Sequence, residues 1–418
     1  MALIDVATAP GLLPAEQVRV ERLRVFDRGR PLRLECGAEL PEVDVQLETY
    51  GELDPSGTNA ILLCHALTGD AHAATHAATQ PVPQAVPQPV EKPNDRPEKG
   101  PDPMPDAARR DPPRPRPGWW PELIGAGRPL DPSRHFVVCT NVIGSCYGST
   151  GPGSRNPRSG RRYGKDFPPV TVRDMVAVQR RALEMLGVRR LALVIGGSLG
   201  GMQALEWALT HPDWVGALAP LASAAQHSLW AIALNELSRL AILSDPEWRG
   251  GDYRRQPSRG LALARMVAMV SYRHYDDFRF RFGREEVDGN RRRFENPFEE
   301  HAGRFQVEQY LHYQGSKLVD RFDANSYLCL SRAMDAHDVA RGRGTLPEVL
   351  ASIRAPTLCV GIDSDLLYPA AEQREIARRI PGAVYHEIRS CKGHDGFLVE
   401  HEQLREILGS FFEHAGIG

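Results

Sequence analysis

Residues 191–207 read LALVIGGSLGGMQALEW. The first five, 191–195, form a short continuous apolar run, the pattern of a strand buried on both faces of a parallel sheet. Gly196-Gly197-Ser198-Leu199-Gly200 follows, and residues 203–211 then read as a helix. A serine flanked by glycines at a strand-to-helix turn suits a nucleophilic hydroxyl. The turn is too tight for side chains beside it, the serine oxygen projects above the sheet, and the helix N-terminus favours developing negative charge. Neither the G-x-G-x-x-G spacing of a dinucleotide loop nor the lysine of a Walker loop is present there.

A nucleophilic serine needs a base, and the base needs an orienting carboxylate. On a sheet of this kind they follow in the order serine, acid, histidine. Residues 357–361, TLCVG, read as a buried strand and run into Ile362-Asp363-Ser364-Asp365-Leu366-Leu367-Tyr368-Pro369. Asp363 and Asp365 both stand where an acid can reach the edge that carries Ser198, and the residues alone leave the choice open. The next strand, 384–388, leads into Ser390-Cys391-Lys392-Gly393-His394-Asp395, so His394 is the candidate base. An oxyanion site takes one backbone N–H from Leu199 and a second from the loop after an early strand. That strand is AILLC at 60–64, and its loop, His65-Ala66-Leu67-Thr68-Gly69, offers the N–H of Leu67 or Thr68.

The same alternation of strands and helices continues outward. FVVCT at 136–140 reads as another buried strand, and Val43, Val45, Leu47 and Thr49 alternate with polar residues as in a half-exposed one. Thr171 with Asp174 three residues on opens a helix; Val172, Met175, Val176, Leu183 and Leu186 form its apolar stripe and Gly187 ends it. Residues 402–414 read as a last helix. The implied architecture is α/β, a mostly parallel sheet with helices on both faces. Residues 228–350 break the rhythm and read as helices, an insertion between two core strands. The chain divides accordingly into a first core part, 1–227, a helical lid, 228–350, and a second core part, 351–418. Arg291-Arg292-Arg293 lies in the lid among acids and reads as a solvated face. Residues 71–117 hold 13 of the 34 prolines and read as a disordered or polyproline-like surface insertion, inert rather than an SH3-type ligand.

Composition sets the outer limits. The chain has 418 residues, 42% apolar and 25% charged, enough for a large core and too balanced for a disordered chain. A net charge of −2 gives no global field for nucleic acid or an anionic membrane. No apolar run is long enough to span a bilayer, and the first residues lack the basic start of a signal peptide, so a cytoplasmic protein is expected. Seven scattered cysteines without a CxxC read as reduced thiols. No HExxH or other ligand spacing indicates a metal; His72 and His76 have i,i+4 spacing but border the proline-rich insertion and are set aside.

Several further segments carry a resemblance. CHALTGDAH at 64–72, GWWPELIGAGRPLD at 118–131, VCTNVIGSCYGSTGP at 138–152, GGSLGGMQALEWA at 196–208, ARMVAMVSYR at 264–273, FDANSYLCLSRAMDAHD at 322–338, SDLLYP at 364–369 and GHDGFL at 393–398 together resemble the homoserine O-acyltransferases of the methionine pathway, which are α/β-hydrolase-fold enzymes. The resemblance covers nearly the whole chain outside 71–117. It implies Ser198 as nucleophile, Asp365 rather than Asp363 as the triad acid, and His394 as base. It implies Arg265 for the substrate carboxylate, Tyr272 in the same pocket, and Asp395 for the amino group. Leu199 replaces the methionine common in the serine elbow, a volume-conserving change where only the backbone N–H is used. Succinyl-transferring members tend to carry an arginine two residues after the triad aspartate; Leu367 stands there, which favours acetyl-CoA as donor to L-homoserine. No cofactor, nucleic acid or membrane partner is implied, and the lid is the dimer contact by analogy. The alternatives are a homoserine or serine O-succinyltransferase, a carboxylic ester hydrolase on the same triad, and a catalytically silent binding module.

Overall fold

The computed structural model describes residues 13–76, 117–286 and 305–417. Its strands, in chain order, are β1 (Val18–Phe26), β2 (Leu32–Arg33), β3 (Glu39–Leu40), β4 (Val43–Tyr50), β5 (Ala60–Cys64), β6 (Phe136–Thr140), β7 (Leu191–Gly197), β8 (Leu218–Leu221), β9 (Leu358–Ile362) and β10 (Val384–Ile388). Eight of them form one sheet in the order β1-β4-β6-β5-β7-β8-β9-β10, while β2 and β3 pair as a small ribbon. From β6 to β10 all pairings are parallel; β1 and β4 form an antiparallel edge.

The helices are α1 (Val172–Met185), α2 (Leu199–Thr210), α3 (Leu229–Leu243), α4 (Ser258–Tyr272), α5 (Tyr275–Phe282), α6 (Gln306–Val319), α7 (Ala324–Asp335), α8 (Leu346–Ala351), α9 (Ala370–Arg379), α10 (Gly396–Val399) and α11 (His401–Ala415). Because side chains alternate along a strand, each central strand feeds two cores. Ile61 and Leu63 join Val137, Leu193, Ile195 and the inner face of α11, at Leu404, Leu408 and Phe411. Leu62 and Cys64 join Val138, Val194 and residues of α1, α2 and α9 on the opposite face. Between β8 and β9 the chain runs through α3 to α8, where Ile242, Leu261, Ala264, Tyr327 and Leu330 build a third cluster. Among the described residues no helix is long and apolar enough to cross a membrane.

Helix α1 begins where its sequence places it. Thr171 accepts from the Asp174 N–H while the Asp174 carboxylate accepts from Thr171, a reciprocal capping box, and Gly187 closes the other end at a φ of +88°. Behind it, Trp207 donates to Gln179, Gln179 to Gln203, and Gln203 to the His65 carbonyl, a buried chain that ties α1 and α2 to the end of β5.

Three readings change. Strand β4 is buried on both faces, not half-exposed: Gln46 and Glu48 are buried as well as Val45 and Leu47. The chain after β5 and the loop after β6 cross its polar face, and Ser149 accepts from the Gln46 N–H. Residues 71–76 are ordered, with Ala71, Ala73, Ala74 and His76 buried, so they do not belong with the proline-rich stretch. Residues 77–116 and the arginine run at 291–293 lie outside the described residues. Strand β8, LAPL, has no counterpart in the sequence reading. It is four residues long and contains Pro220, which cannot donate to a ladder, and its ladder with β9 is a single pairing, Leu221 with Val360.

Thr171→Ala removes the cap of α1 and should lower stability by about 1 kcal/mol, read as a shift in the urea midpoint at unchanged slope.

Candidate active site

Ser198 stands between β7 and α2 with φ +58° and ψ −123°, a conformation that L-residues rarely adopt. The strain persists because the surroundings dictate it. The Ser198 N–H donates to the Leu221 carbonyl, and its own carbonyl accepts from Ser223 and from the Gly201 N–H. The glycines beside it are close approaches. A Cβ at Gly200 would lie 2.0 Å from the Cys64 carbonyl oxygen, and one at Gly197 would lie 2.3 Å from the Phe397 ring. The serine hydroxyl is thereby presented at the carboxyl edge of the parallel strands.

The two aspartates left open by sequence separate by partner. Asp365 is buried, and its Oδ2 lies 2.7 Å from His394 Nδ1. Its Oδ1 accepts from the N–H groups of Leu367 and Tyr368 at 2.8 and 2.9 Å. Asp363 instead accepts from the Ser390 N–H and braces the loop before His394. His394 sits in a short turn at Gly393, whose φ is +64° and whose missing Cβ lets the turn press on the end of α4 at Tyr272. Rings of Tyr272, Tyr368 and Phe397 surround the imidazole at centroid distances of 5.6, 5.2 and 5.4 Å.

Ser198 and His394 line one cavity of about 440 Å³ with Leu67, Thr68, Arg265, Tyr272 and Asp395. Leu199 opens α2 directly after the serine. The Leu67 loop is held from both ends. His65 Nε2 accepts from the Val142 N–H, so its Nδ1 carries the proton that bonds the Ala66 carbonyl, and burial pushes this imidazole below its ordinary pKa. Arg321 donates to the Thr68 carbonyl and to the Tyr147 hydroxyl, each at 2.7 Å. Arg265 reaches the cavity from α4, with its guanidinium 5.6 Å from the Tyr272 ring centre. Asp395 also lines the cavity, and one of its oxygens is 3.1 Å from Arg273. Leu367 does not line the cavity and packs in the cluster that holds Tyr327 and Leu330.

Sequence reading missed Arg321, Arg273 and Lys317, which lines the same cavity. Arg321 lies 253 positions from its partner Thr68, and no local pattern encodes such a contact. Arg273 directly follows Tyr272 and closes the ARMVAMVSYR segment, a local signal that was available. His72 and His76, set aside as flanking a disordered stretch, close on Glu48 instead.

One further carboxyl bears on the site. Glu372, in the first turn of α9, is raised to about 7 by burial and then by the charge of Asp365, and its Oε2 is buried without a partner. Its folded-state pKa therefore lies above the ordinary carboxylate range, so the stability it allows is complete at acid pH and declines as pH rises through 7. Glu372→Gln keeps the shape without the charge. It should match the wild type at about pH 4 and be the more stable protein at about pH 8, measured by thermal unfolding across pH.

The chain is similar to proteins of known name along most of its length. A family model for the alpha/beta hydrolase fold matches residues 116–401. A homoserine O-acetyltransferase of Carboxydothermus hydrogenoformans is 43% identical over 92% of this chain and 93% of its own. One of Symbiobacterium thermophilum is 46% identical over 93% of this chain and 94% of its own. Among solved structures, homoserine O-acetyltransferase from Bacillus anthracis superposes with a TM-score of 0.77 at 26% identity, covering 94% of this chain and 97% of that one. Esterase E22 superposes with a TM-score of 0.73 at 27% identity, covering 94% and 99%. By its identity to these acetyltransferases over more than nine-tenths of its length, and by the sheet that carries Ser198, this chain belongs to the homoserine O-acetyltransferase family of the α/β-hydrolase fold.

Proposed function

We propose that this protein moves the acetyl group of acetyl-CoA to the hydroxyl of L-homoserine through an acyl-Ser198 intermediate. The observation that carries this reading is one cavity that joins a strained serine and an aspartate-bonded histidine to a guanidinium, Arg265, and a carboxylate, Asp395. A simple esterase has no need of the last two; an amino-acid acceptor needs a cation for its carboxylate and an anion for its ammonium.

His394 takes the Ser198 proton as the oxygen attacks the thioester carbonyl, and Asp365 holds the resulting imidazolium. The N–H groups of Leu199 and Leu67 receive the oxyanion. Collapse of the tetrahedral intermediate breaks the C–S bond, and coenzyme A leaves as the thiol with the proton from His394. Homoserine then enters, with its carboxylate on Arg265, its ammonium on Asp395 and Tyr272 as the wall. His394 removes the hydroxyl proton, the new ester bond forms, and the second collapse returns that proton to Ser198. Acetyl-CoA is a co-substrate, and the route draws on no other cofactor. Leu367, not an arginine, stands two residues after Asp365, and on the resemblance to the acyltransferases this favours an acetyl over a succinyl donor. Arg265 and Tyr272 of α4, Lys317 of α6 and Arg321 wall the cavity, and exclusion of water by the bound acceptor there is what separates transfer from hydrolysis. Arg273, 3.1 Å from one Asp395 oxygen, positions that carboxylate beside the base.

The protein acts as a homodimer in the cytoplasm on this reading. Leu229, Trp230, Leu237 and Leu240 on α3 and Leu263 and Val270 on α4 are exposed, with Leu229 at 85%. Such an apolar face supports a subunit contact. The seven cysteines are all unpaired, which supports a reducing compartment.

Free-thiol release from acetyl-CoA should depend on L-homoserine, and Ser198→Ala should lower it on the order of 10⁴-fold at unchanged fold. Release that ignores the acceptor would point to the hydrolysis of the esterase relatives, and a preference for succinyl-CoA or L-serine would overturn the donor or the acceptor. For the assembly, Leu237→Glu with Leu240→Glu should convert a dimer into a monomer in light scattering; a mass unchanged by these charges moves the contact elsewhere.

A further inference from the structure

Strand β4 carries a glutamate on a face where a strand of this sheet should be apolar. Glu48 is 2% exposed. His72 Nδ1 and His76 Nε2 each lie 3.1 Å from Glu48 Oε2, and all three atoms fall within 4.8 Å of one another. Tyr50 donates to the same oxygen at 2.8 Å and orients the carboxylate. The His76 Nδ1 atom is buried without a partner.

The carboxylate and the two imidazoles are held by different means. Glu48 is fixed by ladders to Val20 of β1 and Cys139 of β6. The histidines ride on a segment whose backbone is tied down at three points: the His72 carbonyl by the Trp119 N–H, the Ala73 carbonyl by the Trp120 N–H, and the Thr75 carbonyl by the Leu13 N–H. The Ala73 and Ala74 N–H groups both donate to the Tyr50 hydroxyl. Two imidazole nitrogens and a carboxylate oxygen are the ligand types of Zn²⁺. Metal–ligand distances of about 2.0–2.1 Å in tetrahedral geometry separate ligand atoms by about 3.3–3.4 Å. The observed 3.1 Å spacings to the carboxylate are within a few tenths of that.

We infer that Glu48, His72 and His76 form a structural site for a divalent transition-metal ion of the Zn²⁺ class, separate from Ser198, which clips the chain after the Leu67 loop onto β4. A water completes the coordination. The clip acts on the substrate cavity indirectly, since Asp70 and Trp119, which line it, border the histidine segment. Its role is rigidity, and acetyl transfer does not run through the ion.

The full-length protein, stripped with a chelator and dialysed, is titrated with Zn²⁺ by calorimetry and with Co²⁺ by visible absorption. The expected result is one ion per chain with the intense ligand-field bands of a four-coordinate Co²⁺ and a higher Tm on Zn²⁺ addition. His76→Gln and Glu48→Gln should each weaken binding by about a hundredfold or more and abolish the Tm rise. Circular dichroism verifies that each variant is folded, and His76→Gln retains transfer activity at low temperature. A wild-type Tm that ignores Zn²⁺, or stoichiometric binding that survives in folded His76→Gln, overturns the site and leaves a metal-free ion cluster. Should Glu48→Gln not fold, His76→Gln alone decides.

Discussion

The turn between β7 and α2 is the constraint on which the rest depends. Ser198 is held at positive φ, the end of β7 lies against Phe397 of α10, and the helix that follows starts against the end of β5. That is possible only where Gly197 and Gly200 have no side chains. The cost of the strained serine is of the order of 1–3 kcal/mol and is offset by the closely packed strands on either side. Assembling the candidate site is then a matter of bringing other loops to the same edge.

A parallel sheet does this by construction. The loops after β5, β7, β9 and β10 all leave from the carboxyl ends of neighbouring strands, so residues from four distant stretches meet without any long excursion. The loop after β5 brings Leu67, the turn after β7 brings Ser198 and Leu199, the loop after β9 brings Asp365, and the loop after β10 brings His394. The helical layer between β8 and β9 then covers this edge and supplies Arg265, Tyr272 and Arg321 from above. Asp365 spends both oxygens on hydrogen bonds, one on the N–H groups of Leu367 and Tyr368 and the other on the imidazole, which fixes the ring's orientation.

Strand β4, between the edge strand β1 and β6, shows the opposite economy. Its polar face is covered by chain that local pattern assigns to a loop, and the covered glutamate needs partners. It finds two histidines and a tyrosine. A buried carboxylate left without them would be costly, which is why this cluster has to be satisfied in some form. The same logic explains the Gln179–Gln203–Trp207 chain, which turns three buried polar side chains into a tie between two helices and β5.

Wherever chemistry is set by short-range pattern, sequence alone was sufficient. The apolar runs of β5, β6, β7 and β9 mark doubly buried strands, Thr171 with Asp174 marks a helix start, and Gly-x-Ser-x-Gly between strand and helix marks the strained turn that presents Ser198, because each depends on residues within a turn of one another. Ser198, His394 and their order along the chain follow from that level, as does the α/β class. What tertiary structure alone decided is who pairs with whom. From the residues alone Asp363 and Asp365 stand level; a resemblance favoured Asp365, and the direction of the loop after β9 gives it the imidazole and gives Asp363 the Ser390 N–H. Arg321 finds Thr68, Arg273 finds Asp395 and Glu48 finds His72 and His76 only because the sheet stacks segments that lie far apart in the chain. Such contacts leave no local periodicity to read, since burial and pairing are properties of what lies across the fold, not of what lies next in the chain.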